Sequence, residues 1–235
     1  MKLYIPTINR QGKQKTAAAL DTAGLPYTLV VPPDQVKDFP GDDVLACPAK
    51  GIRGTRQWIM EHGKGKFAML DDDLTFYKRT KDGKLFRPIT GEALRAMFKV
   101  IEAYLDSFAH LGLTDKFMSQ TKPRGCCHNG RFTHLLAYNK RLFPAVHPTF
   151  RVEVCEEHDV NLQLLLAGKA SVVLTEYSKG ESPRAPGGCN TWRHQALEEK
   201  ACKKMESLFP GLVKADGIKI RVNWRGAAKQ GGCAV

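Results

Sequence analysis

At 235 residues and 43% hydrophobic, the chain is long enough to bury a full core, as one domain or one domain with an elaborated end. No apolar run nears the roughly 20 residues that span a bilayer and no signal-peptide core follows Met1, which argues against a membrane-spanning class and predicts a soluble cytoplasmic protein. The formal charge of +12 attracts polyanions, and the seven cysteines, odd in number and without paired spacing, read as reduced thiols and not as a disulfide framework.

Residues 3–7 predict a first strand that runs through Pro6 and Thr7 into the loop Asn9-Arg10-Gln11-Gly12-Lys13. Residues 15–23 then read as a helix, with Ala17, Ala18, Ala19 and Leu20 as strong formers and Gly24 as its stop. A β-branched second strand, residues 27–31, is bounded by Pro26 and Pro32, so that strand, helix and strand open a parallel sheet. A short strand is expected at residues 44–47 and a helix over residues 51–62, closed by Gly63. Lys50, Arg53 and Arg56 recur every three residues near its start, a face for a diphosphate or an ordinary solvated basic face.

The stretch Lys66-Phe67-Ala68-Met69-Leu70-Asp71-Asp72-Asp73 is the centre of the reading. Four apolar residues between Lys66 and Asp71 have the length of a buried strand. Three carboxylates at its carboxyl end stand where open α/β sheets place their ligands. Alternation along an extended chain sends Asp71 and Asp73 to one side and Asp72 to the other, giving two hard oxygen ligands for Mg²⁺ or Mn²⁺. The plainer alternative is a solvated acidic turn.

Residues 76–87 are a charged excursion with a hairpin turn at Lys81-Asp82-Gly83-Lys84. Thr90-Gly91-Glu92-Ala93 opens a helix whose stripe of Leu94, Met97, Phe98, Ile101, Leu105 and Phe108 is core. Two further strands are expected at residues 117–127 and 133–138. Cys126-Cys127-His128 with His134 lacks the Cys-x₂-Cys element of a closed zinc site, so core thiols and a turn are the better reading.

A second acidic cluster, Glu156-Glu157-His158-Asp159, precedes good helix sequence, with Asp159 at the N-cap position and Gly168 at the C-cap. Capping explains Asp159 structurally; a carboxylate at a cleft mouth also serves as general base. A strand at residues 170–175 is followed by a Gly-, Pro- and Ser-rich loop over residues 178–190 and by His194, a candidate metal ligand from that segment. A last helix is expected over residues 195–209, a basic strand over residues 218–225 and a frayed tail over residues 226–235.

The order of these parts resembles the GT-A fold of nucleotide-sugar glycosyltransferases over roughly residues 1–195, the acid-tipped strand being its most specific element. Within that fold the chain is most similar to the compact phage and bacterial branch that glycosylates hydroxymethylated DNA pyrimidines, to which Gly187-Gly188-Cys189 followed by Arg193 also points. The resemblance implies an α/β, Rossmann-type, mostly parallel sheet in a single compact domain over residues 1–225. Its nucleotide-binding half would be residues 1–75, its acceptor half residues 76–195, and its C-terminal helix and strand residues 196–225.

It further implies a UDP-sugar donor, with Asp71, Asp73 and His194 holding a divalent cation and Pro6, Thr7, Arg10, Arg53, Arg56 and Asp72 near the nucleotide. Double-stranded modified DNA would be the acceptor of a monomeric enzyme, in a bacterial host's cytoplasm if phage-encoded. Asp159 or Glu157 would be the general base, since related enzymes carry Glu-Asp where this chain has His158-Asp159.

Two other classes share parts of this pattern. A metal-dependent nuclease also wants clustered carboxylates and a basic surface, and a non-enzymatic nucleic-acid-binding domain would use its acids only as caps and turns. A sugar-nucleotide nucleotidyltransferase would need a Gly-rich phosphate loop, and residues 9–13 hold one glycine.

Overall fold

The computed structural model describes residues 1–39, 43–83, 85–117, 122–181 and 194–233. Gly187-Gly188-Cys189 and Arg193 lie outside the described residues, as does most of the loop expected at 178–190.

The opening is a run of parallel crossovers: β1 (Lys2–Pro6), α1 (Lys15–Thr22), β2 (Thr28–Val31), β3 (Val44–Ala46), α2 (Gly51–His62) and β4 (Lys66–Leu70). β1 lies between β2 and β4 and pairs parallel with both, while β3 extends the edge beyond β2. The alternation of β4 decides which layer each residue serves. Ala68 and Leu70 join Leu3, Ile5 and Leu20 in one core, whereas Phe67 and Met69 join Ile59 and Met60 of α2 in the other.

Beyond β4 the sheet is mixed, not mostly parallel. β9 (Leu135–Asn139) runs antiparallel to both β4 and β7 (His110–Asp115), and β10 (Ser171–Glu181) is parallel to β7. β5 (Leu74–Arg79) and β6 (Phe86–Pro88) form the expected hairpin on the far side of β10, which also pairs with β8 (Cys126–His128). Because β9 is the reversed strand between two that run alike, the carboxyl ends of β1, β4, β7 and β10 share an edge with the amino end of β9.

The helix α3 (Gly91–Tyr104) buries Leu94, Met97, Phe98 and Ile101 against the first core, as its periodicity demands. The middle of the chain holds one strand that was not expected and one expectation that does not hold as made. β7 is central, yet it follows α3 after a short turn and carries His110 and Gly112, so no strand signal separates it from the helix. Residues 118–121 lie outside the described residues; of the described ones in 117–127, the last two fall in a strand, and Phe117 is 90% exposed.

The helix α4 (Glu156–Leu166) begins before the expected cap. Cys155 occupies the N-cap with φ 64°, and Asp159 lies inside the first turn. The chain then closes with α5 (Gln195–Leu208), the hairpin β11 (Val213–Asp216) and β12 (Lys219–Val222), and α6 (Trp224–Gln230). The frayed tail expected from residue 226 is therefore corrected: Ala227 and Ala228 are fully buried, and with Cys233 they pack a third core against Leu162 and Leu165 of α4. Small side chains let α6 approach closely; a Cβ on Gly231 would run into the Leu165 carbonyl. Among the described residues, no helix is long and apolar enough to cross a membrane.

Candidate active site

The acid turn sits where β4 ends, and Thr16 in the first turn of α1 shapes it. Its hydroxyl donates to the Asp71 carbonyl at 2.5 Å and accepts from Leu74 N at 2.9 Å, and its N–H donates to the Asp72 carbonyl at 3.1 Å. The backbone here is a turn, so strand alternation stops at Leu70. Asp72 consequently shares a cation with Asp73: Arg10 Nη1 bonds Asp72 Oδ1 and lies 3.3 Å from Asp73 Oδ2. Thr7 Oγ1 donates to Asp72 Oδ2 at 2.6 Å. Burial pushes the Asp72 carboxyl up against the pull of Thr7 and Arg10, and burial with the neighbouring Asp71 and Asp72 charges pushes Asp73 up.

Asp71 turns the other way, toward α2 and α4. Arg56, 2% exposed, places Nη2 at 2.6 Å from Asp71 Oδ1, while its Nη1 lies 2.5 Å from Glu156 Oε1 and 3.0 Å from Glu157 Oε1. Three carboxylates thus converge on one guanidinium, whose planar fork suits such bridging. The two glutamates divide the burden unequally. Burial, then the charge of Glu157, pushes the Glu156 carboxyl up to about 8, so it keeps its proton at neutral pH. Burial also opposes charge on Glu157, but Arg56, with the bond from the His134 N–H, holds it below the usual carboxylate range. An ionised carboxylate is thereby kept beside Asp71 at neutral pH.

Asp159 does not join this group. Its side chain is fully buried and its oxygens are taken by Arg151 N at 2.8 Å, Arg151 Nη2 at 2.5 Å and Gln163 Nε2 at 2.8 Å. The Glu157 side chain keeps 10% of its surface and that of Asp71 25%. His158 is buried, its ring 5.5 Å from that of Trp224, and burial lowers its pKa to about 4.

The other expected site residues are spread more widely. Pro6 closes β1 and Arg53 pairs with Glu153 at 2.9 Å on the half-exposed side of α2. His194 caps α5, its ring nitrogen Nδ1 accepting from Leu197 N at 3.3 Å. Among the described residues, no three His, Cys, Asp or Glu side chains gather as a metal site.

Sequence reasoning missed a second charged group on the same edge. Lys179 of β10 is 1% exposed and its ammonium reaches Asp115 at the end of β7, Thr133 Oγ1 at 3.0 Å and His134 Nδ1 at 2.5 Å. Burial alone would raise the Asp115 carboxyl, but Lys179 and Arg131 hold it below its ordinary value. A lysine inside a strand carries no spacing signal, and His134 precedes its strand as any loop residue would. Only the strand order brings them together.

The profile of one protein family, described as "TET-Associated Glycosyltransferase", matches residues 1–186. No curated protein matches the chain in sequence. Among solved structures, one described as a hypothetical transferase structure from Thermus thermophilus is similar at 16% identity, over 61% of this chain and 67% of that one, with a TM-score of 0.34.

Proposed function

The chain belongs to the TET-associated glycosyltransferase family, and from that premise we propose that it moves a sugar from a UDP-sugar to the hydroxyl of a hydroxymethylated pyrimidine in double-stranded DNA. The observation that carries this reading is the meeting of the acid turn and the start of α4 on Arg56, which brings Asp71 and Glu157 to one place. The formal charge of +12 suits a polyanionic acceptor.

In this reading Thr7 and Arg10, already turned to the acid turn, lie beside the nucleotide diphosphate, with Pro6 and Asp72 as backing and Arg53 further out on α2. Mg²⁺ and Mn²⁺ sites of this kind take one or two carboxylates and complete their shell with substrate phosphates and water; Asp71, on Arg56, and Asp73, on Arg10, face apart here and would have to turn from those cations to hold a metal together. When bound, the cation would stabilise the leaving diphosphate. Arg56 orients Asp71 and keeps Glu157 ionised.

Glu157 is the general base. As the acceptor oxygen bonds the anomeric carbon, its proton passes to Glu157, and the anomeric carbon–oxygen bond to the diphosphate breaks with the electron pair leaving on the diphosphate. Asp159, with both oxygens committed and no exposed surface, is a brace for residue 151 and not the base.

Thermal unfolding with a panel of nucleoside diphosphates and UDP-sugars, each with and without Mn²⁺, tests the reading. A ligand at 100 times its dissociation constant stabilises by about 2.7 kcal/mol. Stabilisation by a uridine nucleotide only with metal, abolished in Asp73→Asn, is the expected result. No response to any nucleotide, in a protein that still binds duplex DNA, would favour a nuclease or a binding module instead.

A further inference from the structure

His134 stands in the left-handed region, with φ 63°, between Thr133 and the first residue of β9. Its peptide groups reach both halves of the site. The N–H donates to Glu157 Oε1 at 3.3 Å, and the carbonyl accepts from Asp71 N at 2.9 Å. The ring is held just as firmly. Nδ1 accepts from Lys179 Nζ at 2.5 Å and lies 3.0 Å from Thr133 Oγ1, and Nε2 lies 3.2 Å from Glu181 Oε2. Lys179 in turn spends all three ammonium protons, on Asp115, Thr133 and His134. With Nδ1 accepting, the ring proton sits on Nε2 and donates to Glu181.

Resting on the functional reading above, we propose that His134, clamped through its ring by Lys179, is a positioning residue for sugar transfer that sets the separation between Asp71 and the base Glu157. Two costs fall on one residue: a non-glycine side chain at positive φ and a buried ammonium to hold it. A core that needed only a link between β7 and β10 has cheaper apolar solutions, and neither the left-handed turn nor the bond to Nδ1 would follow from it. Strain gathered where two reactive groups meet is the expected mark of preorganisation. Because reaction rates fall steeply with misplacement of the reacting groups, loosening this residue slows transfer without removing any group that touches the donor.

The experiment uses the full chain in four forms besides wild type: His134→Ala, His134→Asn, Glu157→Gln, and Lys179→Met combined with Asp115→Leu, so that neither member of this buried pair is left without the other; Arg131, which also loses Asp115, is half-exposed to water. UDP with Mn²⁺ is the binding probe, and single-turnover transfer from the UDP-sugar selected by the thermal panel, with UDP-glucose as the starting probe, to a hydroxymethylcytosine duplex is the rate. His134→Ala and the paired variant bind UDP within about twofold of wild type and transfer at least about 30-fold more slowly. His134→Asn, which tolerates the left-handed turn and offers Lys179 a carbonyl oxygen, recovers the rate to within about threefold.

A His134→Ala rate within about twofold of wild type, or a loss of UDP affinity in step with the rate, overturns the positioning role. Should the paired variant fail to fold, the contrast between His134→Ala and His134→Asn decides alone. No transfer by the wild-type chain overturns the functional reading, whereas retained transfer in Glu157→Gln with wild type active overturns the base role of Glu157 and the positioning role with it. Lost transfer there, with normal transfer in His134→Ala, overturns only the positioning role.

Discussion

Asp71 at the end of β4 and Glu157 at the start of α4 meet on the guanidinium of Arg56, at 2.6 Å and 3.0 Å. The arginine comes from a third element, α2, and is 2% exposed. Its geometry links the two acidic clusters that lie far apart in the chain, and it makes one residue of the basic face an internal strut while Arg53, one turn earlier, stays on the half-exposed side with Glu153.

Removing that strut leaves buried carboxylates without their cation. Arg56→Met is expected to lower the unfolding free energy by about 3–5 kcal/mol, the usual cost of breaking a buried charge network from one side. Urea denaturation measures it. Arg56→Lys recovers only part of the loss, because an ammonium does not span Asp71 and the glutamates with a planar fork.

Glu157→Gln and Asp159→Asn separate the two candidate bases. The first is expected to slow transfer by about 10²–10⁴-fold with UDP affinity kept. The second weakens the brace to Arg151 and lowers stability by about 1–3 kcal/mol, with the single-turnover rate of the folded protein near wild type. A rate collapse in Asp159→Asn alone would return the base role to Asp159.

Stability should depend on pH in a way that Glu156 and the buried histidines dictate. His110 and His158, both lowered by burial to about 4, are neutral in the folded protein where the unfolded chain protonates them, so they raise stability as pH climbs from about 4 to 6.5. Glu156 keeps its proton up to about 8 while the unfolded chain gives it up near 4.5, so its contribution is complete below 4.5 and falls as pH rises. Between about 6.5 and 8 the histidine effect has ended and the Glu156 decline continues. Chemical denaturation across that window should show the fall, and Glu156→Gln should flatten it.

Gly112 in β7 leaves room for a ring. A Cβ there would overlap Phe132 Cβ, Cγ and Cδ2, so Gly112→Ala should destabilise by about 1–3 kcal/mol through overpacking. Phe132→Ala, which removes the overlapped Cγ and Cδ2, should therefore destabilise Gly112→Ala less than it destabilises the wild type. Thermal melting of the single and double variants gives the comparison, and equal melting temperatures for Gly112→Ala and wild type would show that Phe132 moves aside freely.

What the sequence determined by itself is what local physics sets. The bounds of α2, residues 51–62, and the apolar run of β4 into three acids could be read directly, because glycine stops, helical periodicity and abrupt charge act within a few residues. The stripe of α3 was equally plain.

Tertiary structure decided the rest. β7 was hidden because its strand character comes from neighbours on both sides, and the sheet became mixed once β9 entered reversed between β4 and β7. A carboxylate reads the same in sequence whether it meets water, a cap or a guanidinium. Only the fold withdrew Asp159 onto Arg151, gave Glu157 to Arg56, and brought His134 and Lys179 to the edge where the acid turn lies, because charge partners across a sheet are chosen by strand order and not by spacing along the chain.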